Sequence, residues 1–240
     1  MTTTRIFCIN PSIMARLPRL VVPHQPHHIV QRGNRRLDVF FSDADRVVYL
    51  NHIHDACKRY GVSIWAYCLM NNHVHFVAIP SETDSLARCF SEAHVRYTRR
   101  INLRKDWKGH LWQSRFGSSV LDENHLIATV RYIERNPVRA GIVRDAWEYP
   151  WSSAAYHTGK ADHDRLIESD DVLRELIGDW NSYLRDDDTE DFLYSIRRNS
   201  SVSRPLGDEA FVNDLEKRFQ IKLARSKAGR PVKSGKEPNN

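Results

Sequence analysis

Apolar side chains between residues 41 and 61 recur at helical spacing: Tyr49 and Leu50, Ile53, Ala56 and Cys57, then Tyr60. That period predicts an amphipathic helix. Ser42 is its expected N-cap, with Asp45 three residues on as an imperfect capping box, and Gly61 its expected end. The next two segments change to strand composition. VSIWAYCLM and HVHFVAIP read as strands joined at Asn71-Asn72, a tight-turn pair. Upstream, HHIVQRGNRR begins as a short strand and stops at Gly33-Asn34. Downstream, TDSLARCFSEAHVRYTRRINLR reads as a second helix capped by Thr83 or Asp84, and SSVLD as a short strand. ENHLIATVRYIERNPVRAGIV then reads as a third helix, interrupted by Pro137 and closed by Gly141. Strand, helix, strand, strand, helix, strand, helix is the split βαβ order, which predicts an α+β, ferredoxin-like fold with an antiparallel sheet and an added helix.

Outside this periodic region the pattern fades. Residues 1–14 read as a disordered lead-in without signal-peptide character. The organised domain is expected over 15–160, an accessory helical region over 161–222, and a basic disordered tail over 223–240. No run of about 20 apolar residues indicates a membrane span, and a cytoplasmic, nucleoid-associated protein is expected. The four cysteines, Cys8, Cys57, Cys68 and Cys89, show no C-x-x-C spacing and read as reduced thiols rather than a zinc site. A net charge of +6 favours a polyanionic partner, although solubility alone would also explain it.

The chemistry begins at NNHVHF. In a strand, residues i and i+2 share a face, so His73 and His75 project together while Val74 points away. Two imidazoles so placed suit one metal ion, but spacing alone equally describes two surface histidines. The chain supplies its own control: His52 and His54 repeat the spelling within a predicted helix, where i and i+2 do not face each other. On the third helix Tyr132 and Asn136 are four apart and share a face if that helix tolerates Pro137, with Arg135 and Arg139 nearby. A tyrosine beside cations can serve as a nucleophile, and an amide oxygen suits Mg²⁺ or Mn²⁺ beside imidazoles. A core tyrosine packed on the sheet is the competing reading.

These residues resemble a known family. NNHVHFVAIP is similar to the HUH motif (histidine, hydrophobic, histidine) of IS200-type single-tyrosine transposases. VRYIERNPVRAGIV resembles the tyrosine helix of the REP-associated tyrosine transposases, and HHIVQRGNRR, GHLWQSRF and YPWSSAAYH follow in matching order. The resemblance implies a ferredoxin-like palm whose added helix carries the nucleophile, Tyr132. It implies a divalent ion, Mg²⁺ or Mn²⁺, held by His73, His75 and Asn136. It further implies cleavage of single-stranded DNA beside hairpins of the repetitive extragenic palindrome type, through a 5′-phosphotyrosine, by a monomer or homodimer. Two other readings stay open: a DNA-binding regulator that lost the reaction, and a metal-dependent phosphoesterase using water.

Arginines supply the expected DNA surface. Arg32, Arg35 and Arg36 follow the first strand, and Arg115 and Arg139 flank the candidate site. Trp112 is expected to stack on unpaired bases. Arg230, within Gly229-Arg230-Pro231, resembles the core of a minor-groove arm. For any single arginine, a solvated surface charge remains the alternative.

Overall fold

The computed structural model describes residues 19–168 and 171–223. Both ends of the chain, including Arg230 and the lead-in, lie outside the described residues. Four strands form one antiparallel sheet: β1 (His27–Arg32), β2 (Val62–Leu69), β3 (His73–Pro80) and β4 (Gly117–Val120), in the order β2-β3-β1-β4. The expected ferredoxin-like arrangement is therefore present. Both strands of a split βαβ unit pair with the strand inserted between them.

Helices α1 (Asp43–Tyr60) and α2 (Ser85–Lys105) cover one face of the sheet. Ser42 caps α1 by accepting a hydrogen bond from the Asp45 amide, and Gly61 closes it at φ 60°. The Asp45 carboxylate does not complete a capping box. It accepts from the Phe41 amide at 3.0 Å and from both terminal nitrogens of Arg104 on α2, clipping the two helices together. Ile29, Val74, Phe76 and Ala78 alternate toward these helices and meet Tyr49, Ile53, Phe90 and Tyr97.

The opposite face carries α3 (Glu123–Glu134) and much of the C-terminal region: α5 (Ala154–His157), α6 (Asp171–Ile177), α7 (Trp180–Tyr183) and α8 (Glu190–Val202). A four-residue helix, α4 (Asn136–Arg139), follows α3, and α9 (Glu209–Phe219) packs on a small cluster with Leu20 and Val22. Because β3 has helices on both sides, its two side-chain rows are both largely buried, which accounts for its nearly continuous apolar spelling. Both sheet edges are covered. Ser152 bridges to Cys68 beside β2, and the Leu206 amide donates to the Val120 carbonyl at 2.9 Å beyond β4. Among the described residues, α6, α7 and α8 are built into the cluster on the sheet's second face.

The short strand read as SSVLD is shifted to Gly117–Val120, and the third helix is two pieces. Among the described residues no helix is long and apolar enough to cross a membrane.

Burial holds two structural histidines neutral. His94, against Tyr49 and Trp112, is pushed down to about 3; His27, pushed down mainly by burial, lies near 4. Both values fall below the 6.5 of a free imidazole, so on acidification the unfolded chain binds protons first. Stability is then complete above about pH 7 and falls toward pH 4, each such histidine contributing a slope of at most about 1.4 kcal/mol per pH unit. Urea unfolding of wild type and His94→Gln at pH 7 and pH 5 checks this. The destabilisation by the substitution should shrink at pH 5, and an unchanged difference would refute the assignment.

Candidate active site

The β1–β3 register places Val30 opposite His75 and Arg32 opposite His73. His28, Arg32, His73 and His75 therefore share the sheet face that α3 covers. The His73 and His75 rings lie 5.1 Å apart and nearly perpendicular. Tyr132 on α3 presents its ring edge-on to His75 at 5.6 Å between centroids. His52 and His54, by contrast, sit half-buried on α1 either side of the buried Ile53 and do not converge.

The hydrogen-bond network fixes the tautomer of His73. Asn72 donates its Nδ2 to the Arg36 carbonyl at 3.0 Å, which turns its Oδ1 toward His73 Nδ1 at 2.6 Å. An amide oxygen only accepts, so Nδ1 carries the proton and Nε2 keeps its lone pair. His75 also uses Nδ1, toward His28 Nε2 at 2.8 Å, leaving Nε2 over. Burial, reinforced by Arg32, pushes His73 down to about 4. Burial and then the neighbouring histidines hold His75 well below the ordinary imidazole value. Two neutral imidazoles, each anchored through Nδ1, form a donor set suited to a divalent ion.

Asn136 opens α4, one turn beyond Tyr132. The chain stays near-helical through Pro137: the Arg135 amide donates to the Arg131 carbonyl and the Arg139 amide to the Arg135 carbonyl, both at 2.9 Å. The proline removes only its own donor. Arg139 shows that the two side chains share a region, because its guanidinium lies 4.3 Å from the Tyr132 ring centroid and donates to Asn136 Oδ1. Asn136 Nδ2 is buried without a partner among the described residues. Nδ2 is a donor and cannot ligate a cation; the set whose chemistry fits Mg²⁺ or Mn²⁺ is two imidazole nitrogens with the Asn136 amide oxygen, which here accepts from Arg139. Among the described residues no cluster of three His, Cys, Asp or Glu offers another metal site.

The helix carrying Tyr132 is held from both sides. Glu134, fully buried, accepts from Ser153 Oγ and from His157 Nδ1, tying α3 to the YPWSSAAYH segment. Asp188, whose side chain is 1 % exposed, accepts from Arg131 Nε at 2.8 Å and from Arg139 at 3.1 Å. Arg135 bonds the Leu184 and Asp186 carbonyls and the Asp187 carboxylate. Two of the expected DNA contacts are corrected by this packing. Arg139 has its donors committed to Asp188, Tyr132 and Asn136, with its guanidinium 4.3 Å from the Tyr132 ring centroid. Trp112 is 7 % exposed among Tyr49, His94 and Tyr97, so it has no free face for a base.

Arg32, Arg35, Arg36 and Arg115 are exposed. Their two loops are stitched together: the Asn34 amide donates to the Leu111 carbonyl and the Gln113 amide to the Arg32 carbonyl, both at 2.8 Å. A Cβ on Gly33 would lie 2.1 Å from the Leu37 carbonyl oxygen, so the turn requires glycine there. Arg35 and Arg36 both adopt left-handed backbone, at φ 54° and 64°. That strain in non-glycine residues is typical of a recognition loop. Trp107, 47 % exposed beside Lys105 and Phe41, was not anticipated, although the basic-aromatic spelling KDWK carried the signal.

Comparison with known proteins agrees with this fold. The model of the IS200-like transposases matches residues 22–136, from before β1 to the start of α4. A Haemophilus influenzae protein named as a REP-associated tyrosine transposase is 27 % identical over 120 residues, covering 44 % of this chain and 68 % of that protein. A solved structure of a REP-associated tyrosine transposase bound to a REP hairpin superposes with a TM-score of 0.53 at 19 % identity, covering 65 % of this chain and 93 % of that one, a likeness of fold. Over residues 22–136 the chain is thus similar to the IS200-like transposases.

Asp188→Ala leaves two partly buried arginines without their shared carboxylate. It should lower stability by about 3 kcal/mol in urea unfolding, and a loss below about 1 kcal/mol would show that both arginines simply turn to water.

Proposed function

We propose that this protein is a transposase, a metal-dependent single-strand DNA endonuclease and strand transferase that acts beside hairpins through a 5′-phosphotyrosine. The observation that carries the reading is Tyr132 set edge-on to His75, on the face where both histidines of HVH keep Nε2 available. His73 and His75 through Nε2, and Asn136 through Oδ1, would hold Mg²⁺ or Mn²⁺, which supplies Lewis-acid polarisation of the scissile phosphate when bound. The Tyr132 phenol oxygen attacks phosphorus as its proton is lost. The phosphorus–O3′ bond breaks and the departing oxygen takes up a proton, giving a free 3′-hydroxyl. The new ester keeps the phosphodiester energy, so another 3′-hydroxyl reverses the step without a nucleotide cofactor. The anchored Tyr132 helix keeps the nucleophile oriented, which is where positioning contributes most.

The exposed Arg32, Arg35, Arg36 and Arg115 form the phosphate-binding rim. A hairpin partner is consistent with the REP hairpin in the fold relative.

Hairpin-bearing single-stranded oligonucleotides incubated with Mn²⁺ and resolved on a denaturing gel test the chemistry. The wild-type chain should form a covalent adduct, and Tyr132→Phe should lose it while still binding DNA. His73→Ala should lose cleavage and metal dependence together. Cleavage persisting in Tyr132→Phe would establish a water-based phosphoesterase instead.

Binding is tested separately. The double variant Arg35→Ala/Arg36→Ala should weaken DNA binding and flatten the slope of log K against log salt by about 1.4, the release expected for two single-strand phosphate contacts. An unchanged slope would place the DNA elsewhere.

A further inference from the structure

One buried group at the site has no part in the chemistry above. His28, the second residue of β1 and fully buried, stacks on His75 with ring centroids 5.1 Å apart and planes within 10°. Its edge contact with Tyr132 is 6.2 Å between centroids. Its Nε2 meets His75 Nδ1 at 2.8 Å, and its Nδ1 meets Ser200 Oγ at 2.9 Å. A three-member chain of hydrogen bonds therefore runs from α8 through β1 to β3.

The contact with α8 is built rather than incidental. A Cβ on Gly117 would lie 2.5 Å from the Ser200 carbonyl oxygen, so glycine in β4 is what lets the end of α8 come this close. Ser203, the residue that caps α8, accepts from the Ser118 amide at 3.2 Å and fixes the same junction. Ser200 lies well beyond residue 136, where the match to the family ends.

Two directions satisfy this chain. In one, Ser200 donates to His28, His28 donates to His75, and His75 presents an N–H to the site. In the other, His75 Nδ1–H donates to His28 Nε2, His28 Nδ1–H donates to Ser200 Oγ, and His75 Nε2 presents a lone pair. Only the second matches His73, whose Nε2 lone pair is fixed by Asn72. It is also the arrangement in which an imidazole ligand donates its remote N–H to a neighbouring acceptor.

We infer that His28 is a positioning residue that holds His75 in the Nδ1–H form with its Nε2 lone pair toward the ion, and that Ser200 makes α8 a working part of the site. This rests on the metal reading of the site given above. It assigns a role to a C-terminal helix that otherwise looks like packing.

The test measures Mn²⁺ affinity by electron paramagnetic resonance of the free ion, without DNA, in wild type, His28→Phe, His28→Gln and Ser200→Ala. His28→Phe keeps the ring but loses the acceptor, and should weaken binding 10- to 100-fold. His28→Gln can return an acceptor near the Nε2 position and should recover most of that loss. Ser200→Ala should weaken binding several-fold with little change in thermal unfolding of the metal-free protein. In the metal-free wild type, ¹⁵N shifts should show His75 protonated at Nδ1. If His28→Phe does not fold, Ser200→Ala and the ¹⁵N shifts still decide. Equal affinities in all folded variants, or His75 protonated at Nε2, would overturn the inference and leave the proposed reaction standing. A wild-type chain that binds no Mn²⁺ would overturn the metal reading and this inference with it.

Discussion

Everything at this site depends on the register between β1 and β3. With Val30 opposite His75 and Arg32 opposite His73, four functional side chains stand on one face: His28 and Arg32 from one strand, His73 and His75 from the next. A slip of one residue would turn either set into the core under α1 and α2. The register is secured from beyond the strands. The Asn71-Asn72 turn carries carbonyls that accept from the Val39, Phe40 and Gly33 amides, while Arg46 reaches Asn71 Oδ1 at 2.5 Å. The loop bearing the exposed arginines and the turn preceding the histidine pair are therefore one hydrogen-bonded unit.

The second constraint is the seat of the tyrosine helix. Its core face packs Leu126, Val130, Tyr132 and Ile133 against the sheet, and its charged groups face the C-terminal region. Arg139, expected from sequence to contact DNA, lies on one segment with Arg131 and Arg135. They meet the acidic run 186–188 instead, with Asp188 buried between two of them. Arg131 and Arg139 share the buried Asp188, while Arg135 pairs with the exposed Asp187. Arg32, Arg35, Arg36 and Arg115 stay exposed.

This explains how much was legible in advance. The sheet, the two helices over one face and the pairing of His73 with His75 follow from local periodicity and from the two-residue repeat of strands, so the sequence carried them. The same rule separates HVH from the helical HIH, since spelling matters less than the secondary structure that holds it. Trp112 and Arg139 take their surroundings from tertiary packing, Trp112 among Tyr49, His94 and Tyr97 and Arg139 against Asp188, 49 residues on. No local pattern reveals such contacts. His28 was missed for a different reason: it sits in an apolar strand beside His27, and only the register makes it a neighbour of His75. The alternation His28, Val30, Arg32 did place it on one face, but not on which one. The role of α6, α7 and α8 was unreadable because each has meaning only against the sheet's second face.

The central claim is that strand register and the anchored helix assemble one divalent-ion site beside Tyr132. A crystal of the full chain soaked in Mn²⁺, with data collected for anomalous scattering, tests it most directly. The account predicts one strong peak at bonding distance from Nε2 of both His73 and His75, with Asn136 Oδ1 completing the protein ligands. A peak elsewhere, coordination through Nδ1, or no peak between the two imidazoles would contradict it.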